Sequence, residues 1–356
     1  MPQIFDIAVI EGDGIGPEVT REAIRSVQAA AALDEASFEW TSYPWGSEYY
    51  FEHGRMAPDD FLDTLAGHDA ILLGAVGHPE VQDHVTLNGL LLPIRRRFDQ
   101  CVCLRPSYLY DGVESPLRDK PPGSIDIQVF RENTEGEYAN IGGRLYADRP
   151  QDVAVQTSVF TRHGCQRIIT AAFEKAGTRP DRHVASITKS NAQGYGMVLW
   201  DEVFFEVAKD FPEVEIDREL VDAVTTRMVL KPETLDVVVA TNLHADILSD
   251  LAAALSGSLG IAPTANLNPE RSFPSMFEPI HGSAFDIAGQ GIANPVGSFW
   301  TAAMMLEYLG ENTAAERLMA AIERLTESGM QTKDLGGDAM TRDVTAAICA
   351  DIEAHG

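Results

Sequence analysis

Basic side chains are scarce in this sequence: 27 Lys and Arg stand against 54 Asp and Glu, a formal net charge of −27. Such a chain repels phosphate backbones and anionic lipid surfaces, so neither nucleic acid nor a membrane is expected as a partner. Two readings of the acidity stay open: an ordinary solvated surface, and adaptation to a salty cytoplasm where screening relieves self-repulsion. Long apolar runs are missing as well, none reaching the roughly 18 residues that read as a membrane span. The opening MPQIFDIAVIEGDG has no basic n-region and no cleavage site, and a cytoplasmic location is expected. Cysteine is sparse. Cys101, Cys103, Cys165 and Cys349 have spacings that fit no zinc motif, and buried, reduced thiols are expected.

What is present reads as a globular α/β protein. Hydrophobic residues make up 45% and charged residues 23%, and the 356 residues suit two domains. Strand-like runs at Ile4–Ile10, Ala70–Val76, Ile125–Phe130, His183–Thr188 and Leu235–Ala240 alternate with helical patterns at Pro17–Leu33, Ala192–Lys209, Asp246–Leu255 and Ser298–Tyr308. This alternation predicts a largely parallel sheet. Asp111–Gly123 reads as a surface loop, and Ala139–Thr157, which mixes Gly, Arg and β-formers, as an extended arm. The glycine-rich EGDGIGPE at 11–18 sits between strand and helix. Pro17 occupies the place of the third glycine of a dinucleotide fingerprint, so the segment reads as a tight turn with Pro in the first helical turn.

Acids and arginines carry the chemistry. Asp246 and Asp250 lie four apart, on one face of a helix that follows the strand LDVVVA. Hard oxygen ligands one turn apart suit Mg²⁺ or Mn²⁺. Capping of the helix N-terminus accounts for Asp246 equally well. Asp222 stands among apolar neighbours and, if buried, needs a cation. Arg95, Arg96 and Arg97 are consecutive, and Arg105 and Arg131 follow. Guanidinium forks bind carboxylates in pairs, which suits a dicarboxylate.

With these residues in place, GDGIGPE, GAVGHP, IRRRFDQCVCLRP, VFRENTEGEY, TKSN, NLHADILSD and EPIHGSAFDIAGQGIANP resemble the motifs of the β-decarboxylating dehydrogenases. That family includes enzymes for isopropylmalate, isocitrate, homoisocitrate and tartrate or D-malate. WGSEYY, SVFTRHG, TKSNAQ and NLNPERSFPSMFEP point to its tartrate/D-malate branch, and the similarity runs from Ile7 to about Leu309.

The resemblance implies an isopropylmalate-dehydrogenase-like fold, not a Rossmann fold: a central mixed sheet spans one domain of residues 1–100 plus 257–356 and another of residues 101–256, which carries a dimerising arm. It implies oxidation and decarboxylation of a small 2-hydroxy dicarboxylate with NAD and Mn²⁺ or Mg²⁺, in a homodimer with shared sites. Arg95, Arg105 and Arg131 match substrate-carboxylate arginines. Tyr138 matches the catalytic acid, Lys189 the base, and Asp222, Asp246 and Asp250 the metal ligands. Glu278, His281, Gly282, Ser283, Ala284, Asp286, Ile287 and Asn294 match the cofactor loop, where Asp286 favours NAD over NADP. The family's lysine and first aspartate come from the neighbouring subunit.

Some positions depart from the family pattern. Phe285 replaces a usual Pro, NLHAD replaces NLFGD and brings in His244, Asn88 stands where Trp is usual, and Pro93 falls inside an expected helix. Helical spacing puts Asn88, Leu91, Leu92 and Arg95 on one face, the expected wall around the C3 substituent. The amide of Asn88 there favours D-malate or tartrate. Alternatives are 3-isopropylmalate, then isocitrate, as substrate, or a non-catalytic regulatory subunit.

Overall fold

Ile4–Gly12 forms the first strand, β1, and its centre Ile7–Ile10 is wholly buried, as a strand covered on both faces must be. The computed structural model describes residues 3–34 and 36–356; Met1 and Pro2 of the N-terminal stretch, and Glu35, lie outside these. The further strands are β2 (Ser37–Ser42), β3 (Ala70–Ala75), β4 (Val102–Tyr108), β5 (Asp126–Glu132), β6 (Gly136–Leu145), β7 (Val153–Val159), β8 (His183–Thr188), β9 (Glu215–Leu220), β10 (Val237–Ala240), β11 (Pro263–Leu267) and β12 (Ser275–Pro279).

Ten of them make one mixed sheet, in the order β2-β1-β3-β12-β11-β4-β5-β10-β8-β9. The expected parallel pairing holds toward both edges. At the middle β12·β11, β11·β4 and β4·β5 run antiparallel. Strands from residues 4–75 and 263–279 fill one half of the order, and strands from 102–240 fill the other. They meet where β11 pairs with β4, Ala265 opposite Leu104. One large apolar cluster reaches from Ile7 and Phe277 to Ile127 and Val238, so the two halves share a core.

Predicted elements appear with shifted ends. The helix expected from Asp246 begins at Asn242. The one expected from Ala192 begins at Gly196, because Ala192 and Gln193 close a turn on the Lys189 carbonyl. The strand expected from Leu235 begins at Val237, since Leu235 completes a 3-10 turn on Pro232. The arm at Ala139–Thr157 is the separate antiparallel pair β6·β7, with Ile141, Leu145, Val153 and Val155 exposed. Cys101, Cys103 and Cys165 are buried and all four thiols are free. Burial pushes the Cys101 thiol up to about 11 and that of Cys165 up to about 12, so both stay protonated.

The turn after β1 is shaped by its glycines. Gly12 has φ +71° and Gly14 φ +59°, and a Cβ on either would sit 1.9 Å from a carbonyl oxygen, of Ala75 and Ser283 respectively. Ile15 N–H donates to the Ser283 carbonyl and Gly16 N–H to that of Asp13, so these donors at the start of the helix Gly16–Ala31 are used within the chain. Asp13 stitches the turn to its surroundings, accepting from Ser47 N–H, Ser47 Oγ and Gly77 N–H at 2.7–2.8 Å. Gly12→Ala is therefore expected to destabilise the fold by at least about 2 kcal/mol, from left-handed backbone and overlap with Ala75 together. Urea unfolding checks this; a loss within about 0.5 kcal/mol would show that the turn relaxes freely.

Candidate active site

Five charged side chains converge where the antiparallel middle of the sheet meets the helix Asn242–Leu255. Arg105 comes from β4, Arg131 from the end of β5, Arg95 from the helix Leu92–Arg97, Asp246 from the long helix and Glu278 from β12. With Tyr138 they line a cavity of about 180 Å³. Arg95, Arg105 and Arg131 are 5%, 8% and 2% exposed. Three guanidinium groups against two carboxylates make this a positive pocket in a protein of net charge −27.

Each arginine has a built partner. Arg95 donates to Glu278 Oε1 at 2.7 Å, and Asn266 donates to the same oxygen at 2.8 Å. Arg105 Nη1 reaches Asp246 at 3.0 Å, Ser249 Oγ at 2.9 Å and Asp250 at 3.7 Å. Arg131 pairs with Asp246 through Nη1, while its Nε and Nη2 both donate to Asn242 Oδ1 at 3.0 and 2.8 Å. Burial lowers the Arg131 pKa, helped by the neighbouring Arg105 and opposed by Asp246. Burial works against ionised Asp246, but Arg131 and Arg105 overrule it and hold the carboxyl below its usual range. Asp250, half exposed one helical turn beyond Asp246, is pushed up by partial burial and by Asp246, against the pull of Arg105.

Tyr138 is held at three points. Its hydroxyl donates to Asp246 Oδ2 at 2.7 Å, its ring lies 5.3 Å from the Arg131 guanidinium, and its carbonyl accepts from Arg96. Burial, then the Asp246 charge and hydrogen bond, push the phenol up to about 12, so it stands as a protonated acid.

The Lys189–Asp222 pair forms its own ion pair away from this cavity, with 29% and 66% of the side chains exposed. The expectation of a buried Asp222 is corrected: it sits in the exposed first turn of the helix Val221–Leu230 and its cation is Lys189. The capping alternative for Asp246 is likewise set aside, because the helix starts four residues earlier. Glu137 serves that terminus, accepting from Thr241 Oγ1 and Leu243 N–H. Among the described residues no three His, Cys, Asp or Glu side chains of one chain gather as a metal would need.

The expected wall also changes. Leu87–Leu91 is a π-helical turn, and its extra residue per turn rotates the following residues. Leu87, Leu91 and Leu92 line the cavity with Arg95; Asn88 does not, and its amide donates to the His84 carbonyl. Pro93 falls at the start of the α-helical turn Leu92–Arg97, just after the π turn. His244 is buried, and burial lowers its pKa. Glu278, His281 and Gly282 face the arginine cavity. Ser283 is bound to Ile15 as described; Ala284 and Ile287 pack on Ile15, Val19 and Ala293. Asp286 is exposed, its carbonyl accepting from Gln290, and Asn294 donates to Asp334. These residues thus share one loop rather than one pocket. Arg96, Asn242 and Glu137 were not legible as site residues, because their partners lie on elements distant in sequence, and Leu87 was not because the π turn breaks the helical period.

The sequence pattern of the isocitrate/isopropylmalate dehydrogenases matches residues 6–350. The chain belongs to this family. It is 56% identical to a probable tartrate dehydrogenase/decarboxylase of Agrobacterium vitis (97% of this chain, 95% of the relative). It is 49% identical to the decarboxylating D-malate dehydrogenase of Escherichia coli strain K12 (98% and 99%), and 47% identical to the tartrate dehydrogenase/decarboxylase of Pseudomonas putida (97% and 96%). The crystal structure of isocitrate dehydrogenase from Methylococcus capsulatus superimposes with a TM-score of 0.88 at 33% identity, over 98% of this chain and 99% of that one. The family fold is thus the one described above, a mixed central sheet rather than a Rossmann sheet.

The three-point hold on Tyr138 generates a test. Asp246→Asn removes a negative charge and an acceptor that both favour the neutral phenol and leaves Arg131 and Arg105 to favour the phenolate, so the Tyr138 pKa should fall from about 12. Phenolate absorbance in paired titrations, with and without Tyr138→Phe, isolates that one tyrosine. A value unchanged by Asp246→Asn would show that burial alone sets it.

Proposed function

We propose that this chain is an NAD-dependent, Mg²⁺- or Mn²⁺-dependent dehydrogenase that oxidises and decarboxylates a small 2-hydroxy dicarboxylate, D-malate or tartrate. The observation that carries this reading is the cavity where three buried arginines meet a protonated tyrosine and Asp246, with Asp250 one helical turn further on. Arg95 and the Arg105–Arg131 pair offer forks for two carboxylates. Tyr138, a neutral phenol at the same cavity, would protonate the carbanionic carbon left by loss of CO₂. Lys189 would accept the hydroxyl proton. NAD, held by the loop from Glu278 to Asn294, would take the hydride, and Asp286 would meet its ribose hydroxyls and repel a 2′-phosphate.

The donor set fits a hard divalent cation in part. Asp246 and Asp250 present carboxylate oxygens within reach of the same Arg105 Nη1. When bound, the metal supplies Lewis acidity toward the substrate's hydroxyl and neighbouring carboxylate oxygens. A third acid would come with Asp222 from a second copy of the chain, alongside Lys189. The exposed apolar side chains Leu243 and Ile247 on the acid-bearing helix, and Val229 and Leu230 beside it, support such a homodimer. The same reading takes residues 101–256 as one domain and 1–100 with 257–356 as the other, in a cytoplasmic enzyme.

The substrate choice rests on the relatives, since the wall of Leu87, Leu91 and Leu92 is apolar. That wall favours a second reading, an alkyl group at C3 as in 3-isopropylmalate. A purified-enzyme NADH assay over a panel of 2-hydroxy acids decides between them. D-malate or a tartrate isomer should show the highest kcat/KM, with NAD strongly preferred to NADP and activity lost in EDTA. A panel won by 3-isopropylmalate or isocitrate would overturn the substrate assignment, and activity surviving EDTA the metal.

Subunit sharing predicts complementation. Refolding inactive Lys189→Ala with inactive Tyr138→Phe should restore part of the activity, because each heterodimer then has one site with neither lesion. Heterodimers that form without any recovery would mean each site is built from one chain.

A further inference from the structure

A larger cavity lies beside the Gly12–Gly16 turn and shares no lining residue with the arginine cavity. Its volume of about 710 Å³ falls in the range of small-molecule pockets. Tyr43, Trp45, Phe51, His78 and Phe285 line it. Tyr43 and Trp45 stack at 4.4 Å, and His78 lies edge-on between Phe51 at 5.0 Å and Phe285 at 4.6 Å. The Nδ1 of His78 accepts the Glu80 N–H at 3.1 Å, which fixes the ring's orientation. Phe51 and Phe285 keep 51% and 36% of their surface exposed, unusual for large apolar rings that touch one wall.

The remaining lining fixes the sign of the ligand. Glu11, Asp13 and Glu48 contribute carboxylates, and no Lys or Arg lines the cavity. Asp13 is 5% exposed, yet its partners are the neutral donors of Ser47 and Gly77. Aromatic faces attract a soft cation through their quadrupoles, Trp most strongly, and nearby carboxylates add a Coulomb term. An anion would be repelled here. A hydrated inorganic ion would gain nothing from the phenyl rims, and a neutral aromatic would leave the acids uncompensated.

We propose that this cavity binds a small organic ammonium ion against the exposed Phe51 and Phe285 rings, with the exposed Glu48 as its carboxylate partner. The site stands whether or not the neighbouring loop binds NAD. Phe285 and Ala288 belong to that loop, so occupancy also bears on where the loop sits.

Calorimetry on the full chain, with choline as the cation and neohexanol as its uncharged isostere, tests the proposal. Choline should saturate one site per chain with a Kd of about a millimolar or weaker, and neohexanol should not. Phe51→Ala and Glu48→Gln replace exposed side chains, so folding should persist, with Tm as the check. Each should weaken choline by about fivefold, while Glu353→Gln on the exposed C-terminal helix should change nothing. Equal binding of neohexanol, or heat that never saturates, would overturn the site. So would an equal loss in Glu353→Gln, which would mark diffuse attraction to an acidic surface.

Discussion

The structure turns on a concentration of positive charge where it is hardest to keep. Three guanidinium groups are buried together at the antiparallel middle of the sheet, and a buried charge without a partner costs several kcal/mol. The neighbouring architecture reads as an answer to that constraint. Asp246 is held between Arg105 and Arg131, Glu278 faces Arg95, and Asn242, Ser249 and Asn266 take or supply further hydrogen bonds. Asp246 also accepts the Tyr138 hydroxyl, so one carboxylate joins two of the arginines to the phenol. The charge of Asp246 thus sets the balance of all three.

How much of this could be read from the sequence depended on distance along the chain. β1, β3, β8 and the helix Gly16–Ala31 were legible because burial and periodicity are local properties. The arginines, Tyr138 and the acids were legible as types, and their roles came from motif resemblance. Contacts that join remote segments left no local mark. Glu137 on the arm serves a helix more than a hundred residues away, and Arg96, one of three adjacent arginines, holds the backbone of Tyr138. The antiparallel reversal at β11 was likewise invisible to a pattern that registers strands but not their direction.

The segment Asn88–Arg95 shows a local rule giving way. A period of 3.6 residues puts Asn88 beside Leu91, Leu92 and Arg95. The π turn at Leu87–Leu91 inserts the extra residue that hands this place to Leu87. Pro93 fits the same account, since it lacks the N–H that an uninterrupted α-helix would require. One widened turn therefore changes the wall from mixed to apolar without altering a residue.

The strand order also has a consequence for how the chain assembles as it is made. β12 pairs with β3 through Ser275 and Ala70, and β11 with β4 through Ala265 and Leu104, so the sheet's centre comes late in synthesis. Until that hairpin arrives, the nascent chain carries two unpaired apolar edges that belong side by side with nothing yet to join them. Contacts this remote in sequence slow folding and lengthen the exposure of edges prone to intermolecular pairing. A ribosome-bound chain stopped before residue 263 should thus be a client for chaperones that shield β-edges, whereas one extended past residue 279 can close its own sheet.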